Sequence, residues 1–307
     1  MNLTREILHR NENNESIALN WEGNYWDDND VHDCGQVGWT SMEIVIRKMA
    51  AVMLQFVEKG SKVVFYLPKD PSTTGTDEVV KIAKDLSSNL IFTVDAFWSA
   101  KKLIKIHENL KFDGKILVIR HVAPNDGVPP PRKHIPARRP YYLTKLDLQE
   151  GRDFDFAKVM KLVNSDVSIK YHDHSATDTF AIFHDGRRTK SLLVGELHKE
   201  LEMFSQKISE GCNVFILDYP NYESAVRLFS PWYKKSALTM YEGPTDYPDP
   251  SRVSQIIAKF EVTTLIASDW KPNKPYLGYF PTPTLETVIS DDEKILDCYP
   301  DVVGIKI

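Results

Sequence analysis

Five residues with anion-binding chemistry stand together where an apolar run gives way to a helical pattern: Gly186, Arg187, Arg188, Thr189 and Lys190. Before them, Phe180 to Phe183 is a short apolar run suited to a buried strand, and Asp185-Gly186 is a turn signal. After them Leu193, Leu197, Leu201, Phe204 and Ile208 recur at helical spacing. The pattern predicts strand, turn and helix, with the basic residues at the helix N-terminus. Unpaired backbone N–H groups and the positive end of the helix dipole attract an anion there. A loop that wraps a phosphate closely also needs several glycines and hydroxyls. This one has one glycine ahead of the helix and two bulky arginines. A phosphate loop and an ordinary charged turn both remain compatible with these residues.

The other chemistry-bearing residues are sparse. In the His172-Asp173-His174 cluster the two histidines, two residues apart, could hold a metal on a strand, but no third ligand follows at a recognisable spacing, and an exposed loop is the competing reading. Cys34, Cys212 and Cys298 lie far apart, show no CxxC spacing and read as plain thiols. No residue is identified as catalytic and none as a metal ligand.

The elements that must position these residues read as a parallel α/β fold. A helix from Met42 to Val57, carrying Val45, Met49, Val52, Met53 and Phe56, precedes a strand at Lys62 to Leu67. A helix with Val79, Val80, Ala83 and Leu86 leads to a strand at Leu90 to Val94, and a helix from Trp98 to Leu110 leads to one at Lys115 to Val122. That alternation is the signature of a parallel sheet. Pro124 to Pro140 is proline-rich and basic and reads as a linker or surface loop. Further on, Phe154 to Val163 and Tyr222 to Phe229 read as helical; Asn213 to Leu217, Ala237 to Tyr241 and Val262 to Ala267 read as strands. Ser251 caps a helix with Val253, Ile256, Ile257 and Phe260, and the tail DVVGIKI reads as a further strand. The expected organisation is a first α/β half over 1–123, a linker over 124–150, a second half over 151–270 and a short remnant over 271–307.

The chain has 307 residues and a formal net charge of −5, which gives no general attraction to nucleic acid. No apolar run is long enough to cross a bilayer, and the polar opening MNLTREILHRNENNE does not suit a secretory signal. The expectation is a cytoplasmic protein with no nucleic-acid or membrane partner.

Four ordered blocks resemble the AMP-forming acetyl-CoA synthetases of the adenylate-forming superfamily: ALNWEGN at Ala18 to Asn24, the segment through KGSKVVFYLPKDP, LDLQEGRDFDF at Leu146 to Phe156, and TMYEGPTDYPDPSRVSQIIAKFEVTTL at Thr239 to Leu265. KPYLGYFPTPTLETVISDDEKILD is similar to a later family segment. The resemblance implies an incomplete adenylate-forming N-terminal domain, an α/β fold of mostly parallel sheets flanked by helices.

Departures from the family pattern fall on its chemistry. Its loop rich in threonine, serine and glycine, which grips the ATP phosphates, is represented only by Gly186, Thr189 and Lys190; His184 and Asp185 stand at hydroxyl positions and Leu192 at the second lysine. Pro220 and Tyr222, ahead of Glu223, fall on the acyl-pocket segment. The family's adenylate motif, ribose-binding aspartate and C-terminal lysine have no counterpart. The resemblance therefore implies a non-catalytic, truncated relative whose ligand is a nucleotide or a protein partner. The competing expectation is an active acetate–CoA ligase in which Arg187, Arg188 and Lys190 clamp phosphate. ATP, AMP, magnesium and CoA enter only if activity is retained. A third is a chain with no evolved role.

Overall fold

The structure, a computed structural model, describes residues 1–26, 32–58, 60–66, 88, 90–94, 114–119, 122–124, 141–143, 148, 150–184, 189–218, 222–241, 245, 249–268 and 277–307. The expected helices around Val79 to Leu86 and Trp98 to Leu110, and 125–140 of the proline-rich stretch, lie outside these residues. The chain forms two units, one of residues 1–43, 132–137 and 171–307, the other of 44–131 and 138–170. Both are α/β.

The polar opening is a helix, α1 (Leu3–Arg10), capped by Asn2, whose side-chain oxygen accepts from the Arg5 N–H at 2.9 Å. Leu3 and Ile7, one turn apart, supply its buried face. Strands β1 (Ile17–Trp26) and β2 (His32–Gly38) pair antiparallel and lead into α2 (Trp39–Met53). The second unit holds β3 (Val63–Tyr66), β4 (Leu90–Val94), β5 (Lys115–Ile119), β6 (Val122–Pro124), β7 (Tyr141–Leu143), β8 (Asp153–Asp155) and α3 (Phe156–Leu162). Its four-stranded sheet, ordered β3-β4-β5-β8, is parallel throughout. Val52, Leu90, Leu117 and Val159 form its core. Asp155 starts α3 by accepting from the Ala157 N–H at 3.1 Å.

The chain then returns to the first unit with β9 (Thr179–His184), β10 (Thr189–Leu193), α4 (Val194–Ser205), β11 (Asn213–Ile216), α5 (Tyr222–Tyr233), β12 (Ala237–Tyr241), α6 (Arg252–Lys259), β13 (Thr264–Ile266), β14 (Thr287–Ser290), α7 (Glu293–Asp297) and β15 (Val303–Lys306). Seven strands form one sheet in the order β15-β14-β13-β11-β12-β1-β2, parallel except for β1 against β2. Strand β11 shows why the sheet is covered on both sides. Phe215 and Leu217 join Val253, Ile256 and Leu265 in one cluster, whereas Val214 and Ile216 join Leu238, Ile266 and Ile289 in another. A central parallel strand has no solvent face, so its sequence is continuously apolar.

Two expectations of organisation are corrected here. Residues 1–123 do not form one half, because β1 adds to the C-terminal sheet, with Leu19 opposite Leu238 and Trp21 opposite Met240 on β12. Nor is 271–307 a remnant: β14 and β15 complete the sheet edge, with Val288 opposite Leu265 and Gly304 opposite Val288. Sequence periodicity reports which residues are apolar but not which distant strand supplies the hydrogen bonds.

One charged cluster fastens β1 to this sheet. Arg252 Nη2 lies 2.6 Å from Glu22 Oε1, and Lys259 Nζ lies 2.7 Å from the other oxygen. The Glu22 and Arg252 side chains are 0% and 2% exposed. The guanidinium also donates to the Gly23 carbonyl at 3.3 Å and lies 5.1 Å from the centre of the Tyr241 ring. Removing one member of a buried pair strands the other charge, at a cost of about 3 kcal/mol or more. Glu22→Gln is therefore expected to lower the urea midpoint by that order of stability, and replacing both partners with Leu and Met to lower it less; a single variant as stable as the parent would contradict this.

Candidate functional site

The expected phosphate loop follows β9, and its last two residues, Thr189 and Lys190, open β10. Strands β9 and β10 pair antiparallel, with Thr189 opposite His184 and Lys190 opposite Phe183. Gly186, Arg187 and Arg188 lie outside the described residues. Thr189 and Lys190 open a strand instead of a helix, which corrects the expected strand-turn-helix arrangement; α4 begins only at Val194. Leu193 fits the helical spacing of the residues after it, but pairing with Thr179 of β9 places it in a strand.

The N-terminus of α4 is closed to an anion by its own surroundings. The Val194 N–H donates to the Asp178 carbonyl and the Gly195 N–H to the Ala176 carbonyl, both at 2.9 Å. The Leu193 N–H donates to the Glu196 carboxylate at 3.1 Å. A Cβ on Gly195 would stand 2.8 Å from that of Ala176, so glycine permits the close approach that makes these bonds. Nearby, Lys190 Nζ lies 3.3 Å from Glu223 Oε1 and 3.3 Å from the centre of the Tyr222 ring. The Tyr222 hydroxyl donates to Glu196 Oε2 at 3.4 Å. Burial, then the carboxylates of Glu200 and Glu196, raise its pKa above the ordinary tyrosine value. Lys190 and Glu223 are more than half exposed, so their ion pair contributes little by itself. The lysine nonetheless sits among carboxylates, the reverse of a phosphate cradle.

A second arrangement occupies the carboxyl edge of the large sheet. The chain runs from β11 to β12 on one side and then to β13 on the other, so β11 and β13 meet at a change of direction, where open α/β sheets leave a crevice. Asp218, just past β11, accepts from Arg227 Nη1 of α5 at 2.7 Å and from the Ser268 N–H at 2.8 Å. Its side chain is 2% exposed, and Arg227 Nη2 lies 4.0 Å from Asp291 Oδ2. The bonds tie α5 and the ends of β11 and β13 together. Sequence reading passed over Asp218 and Arg227; the available signal was an acid directly after the apolar run NVFIL.

No family model matches the chain. Among curated proteins it is 46% identical over 80 residues to the uncharacterized protein ZK112.5 of Caenorhabditis elegans, covering 25% of this chain and 50% of that one. It is 32% identical over 123 residues to the uncharacterized protein ZK112.6 of the same organism, covering 31% of this chain and 83% of the relative. The chain belongs to the ZK112.6 family. It spans half the length of ZK112.5, and neither name carries an activity.

In this member of the ZK112.6 family the His172-Asp173-His174 segment receives α1. Arg5 Nη2 donates to Asp173 Oδ1 at 2.7 Å, and Asn2 Nδ2 donates to the His172 carbonyl at 2.7 Å. His174 Nδ1 lies 3.4 Å from Asp178. Among the described residues no group of three or more His, Cys, Asp or Glu is placed to hold a metal ion.

The other face of α1 is held by Glu6, which accepts from the Tyr233 hydroxyl at 2.8 Å and from Arg10 Nη2 at 2.9 Å, with His198 Nδ1 at 3.4 Å. Burial alone would raise the Glu6 pKa, but the bonds from Tyr233 and Arg10 and the nearby His198 outweigh it and hold it below the ordinary carboxylate value. A lowered carboxyl contributes stability above its unfolded pKa and loses that contribution as pH falls through the folded one. Tyr233→Phe should therefore cost about 1 kcal/mol or less near neutrality. The gap from the parent should close as Glu6 protonates in acid, as followed by urea unfolding across pH.

Proposed function

We propose that this chain is a non-catalytic relative of the AMP-forming acetyl-CoA synthetases, whose α/β scaffold binds a nucleotide-like ligand or a protein partner without adenylating a substrate. The ordered sequence blocks and the mostly parallel sheets support the descent. One observation carries the loss of catalysis: the N–H groups of Val194, Gly195 and Leu193, which would face an anion at the start of α4, all donate within the protein. Adenylation requires charge on three phosphates to be neutralised and a carboxylate aligned with the α-phosphorus. Glu196, Glu200 and Glu223 surround Tyr222 beside Lys190 and oppose that charge. Among the described residues the surroundings of Lys190 do not fit a triphosphate, and no catalytic step is assigned to ATP, magnesium or CoA. A cytoplasmic setting, without nucleic-acid or membrane partners, belongs to the same reading; among the described residues no helix is long and apolar enough to cross a membrane.

Pyrophosphate release measured with acetate, ATP, magnesium and CoA is expected to stay at the blank rate. Turnover that falls in Lys190→Ala would establish the active ligase with a rearranged clamp and overturn this proposal. Calorimetric titration with ATP and with acetyl-AMP then separates retained nucleotide binding, seen as saturable heat, from a protein-partner role.

A further inference from the structure

Helix α1 is attached to the first unit by little apolar surface. Leu3 and Ile7 are its buried side chains, and a helix of 8 residues does not hold its shape in water without docking contacts. Its polar attachments form two sets. On one side Arg5 pairs with Asp173 at 2.7 Å, both side chains more than half exposed, so the pair is screened. On the other, Glu6 gathers groups from three helices: Arg10 of α1 at 2.9 Å, the Tyr233 hydroxyl of α5 at 2.8 Å and His198 Nδ1 of α4 at 3.4 Å. Arg10 also lies over the Tyr233 ring, 3.8 Å from its centre, and Glu202 of α4 adds a like charge near that tyrosine. Past the helix, Asn11 Nδ2 donates to the Trp232 carbonyl at 2.9 Å and Asn13 turns the chain with φ +61°.

We infer that α1 is a proton-released strap: when Glu6 takes a proton, the helix leaves α4 and α5 while the sheet behind them stays folded. Protonation removes the charge that Arg10, Tyr233 and His198 all answer, and turns charge-assisted bonds into neutral ones of roughly half the strength. Burial pushes this carboxyl up, but the bonds from Tyr233 and Arg10 and the nearby His198 outweigh burial, so docking favours its charged form. The contribution to docking is present above the undocked pKa and is lost as pH falls through the docked one. A proton on His198 supports docking only while Glu6 is charged. Once Glu6 is neutral, an imidazolium there, its Nε2 buried with no acceptor among the described residues, favours release. Such a local opening costs less than global unfolding and bares the face of α4 and α5 that carries His198 and Tyr233. Nothing in this assignment depends on Lys190 or on the presence or absence of adenylation.

Hydrogen exchange of the full chain, read by mass spectrometry and corrected for the intrinsic effect of pH, compares peptides of α1 with those of β11 and β13 between neutrality and acid. The opening constant of α1 is expected to rise about tenfold as Glu6 protonates, the scale of losing one charge-assisted bond, with β11 and β13 unchanged. Glu6→Gln should open α1 to that extent already at neutral pH and show a smaller acid step, the remainder coming from Asp173. Asp173→Asn should keep most of the acid step. An α1 in the parent that opens no more in acid than at neutrality, that opens only together with β11 and β13, or whose full acid step survives in Glu6→Gln would overturn the strap.

Discussion

The first unit depends on a carboxylate that has no access to water. Glu22 sits on a strand formed early in the chain, and Arg252 reaches it across 230 positions of sequence. Desolvating either charge alone would be prohibitive, so each is tolerable only when the other is in place. That mutual requirement fixes the β1 register against β12 more sharply than apolar packing does, because a slip of one residue would turn the carboxylate toward the opposite face. Lys259 takes the second oxygen, and the Tyr241 ring lies beside the guanidinium. Strand β12 and helix α6 are thereby joined to β1 through the same few atoms.

Around this lock the sheet is built as a buried layer. Its central strands present apolar side chains to both faces, and the C-terminal segments with β14 and β15 extend the layer. Asp218 plays a comparable part at the carboxyl edge, where it gathers Arg227 and the Ser268 N–H. In both places a charged residue organises elements that come from distant parts of the chain. Gly278 is a further fixed point: its backbone has φ +72°, and a Cβ there would run into the Cys298 carbonyl.

The hairpin shows how the same residue types serve a different end once their partners are known. Lysine, threonine and a helix start suggest anion chemistry, yet the N–H groups of Leu193, Val194 and Gly195 at that start are already engaged. Among the described residues Glu223 pairs with Lys190, and Glu196 accepts from the Tyr222 hydroxyl beside it. The consequence is a folded α/β frame in which the strongest electrostatic features hold structure together.

Much of the fold was legible in the residues. The strands at Leu90–Val94 and Ala237–Tyr241 and the helix carrying Val253, Ile256 and Ile257 were marked by apolar spacing alone, since burial leaves its period in the sequence. Helix α1 escaped notice because only Leu3 and Ile7 need to be buried, and two residues make no period. At the hairpin, Leu193 fits the spacing of the helix that follows, and only the ladder to β9 places it in a strand. The sequence by itself determined an α/β protein. Which strands are neighbours, where β1 lies, and which backbone groups remain available to a ligand were decided by tertiary structure, because hydrogen bonds and buried charges are satisfied by partners that no local pattern names.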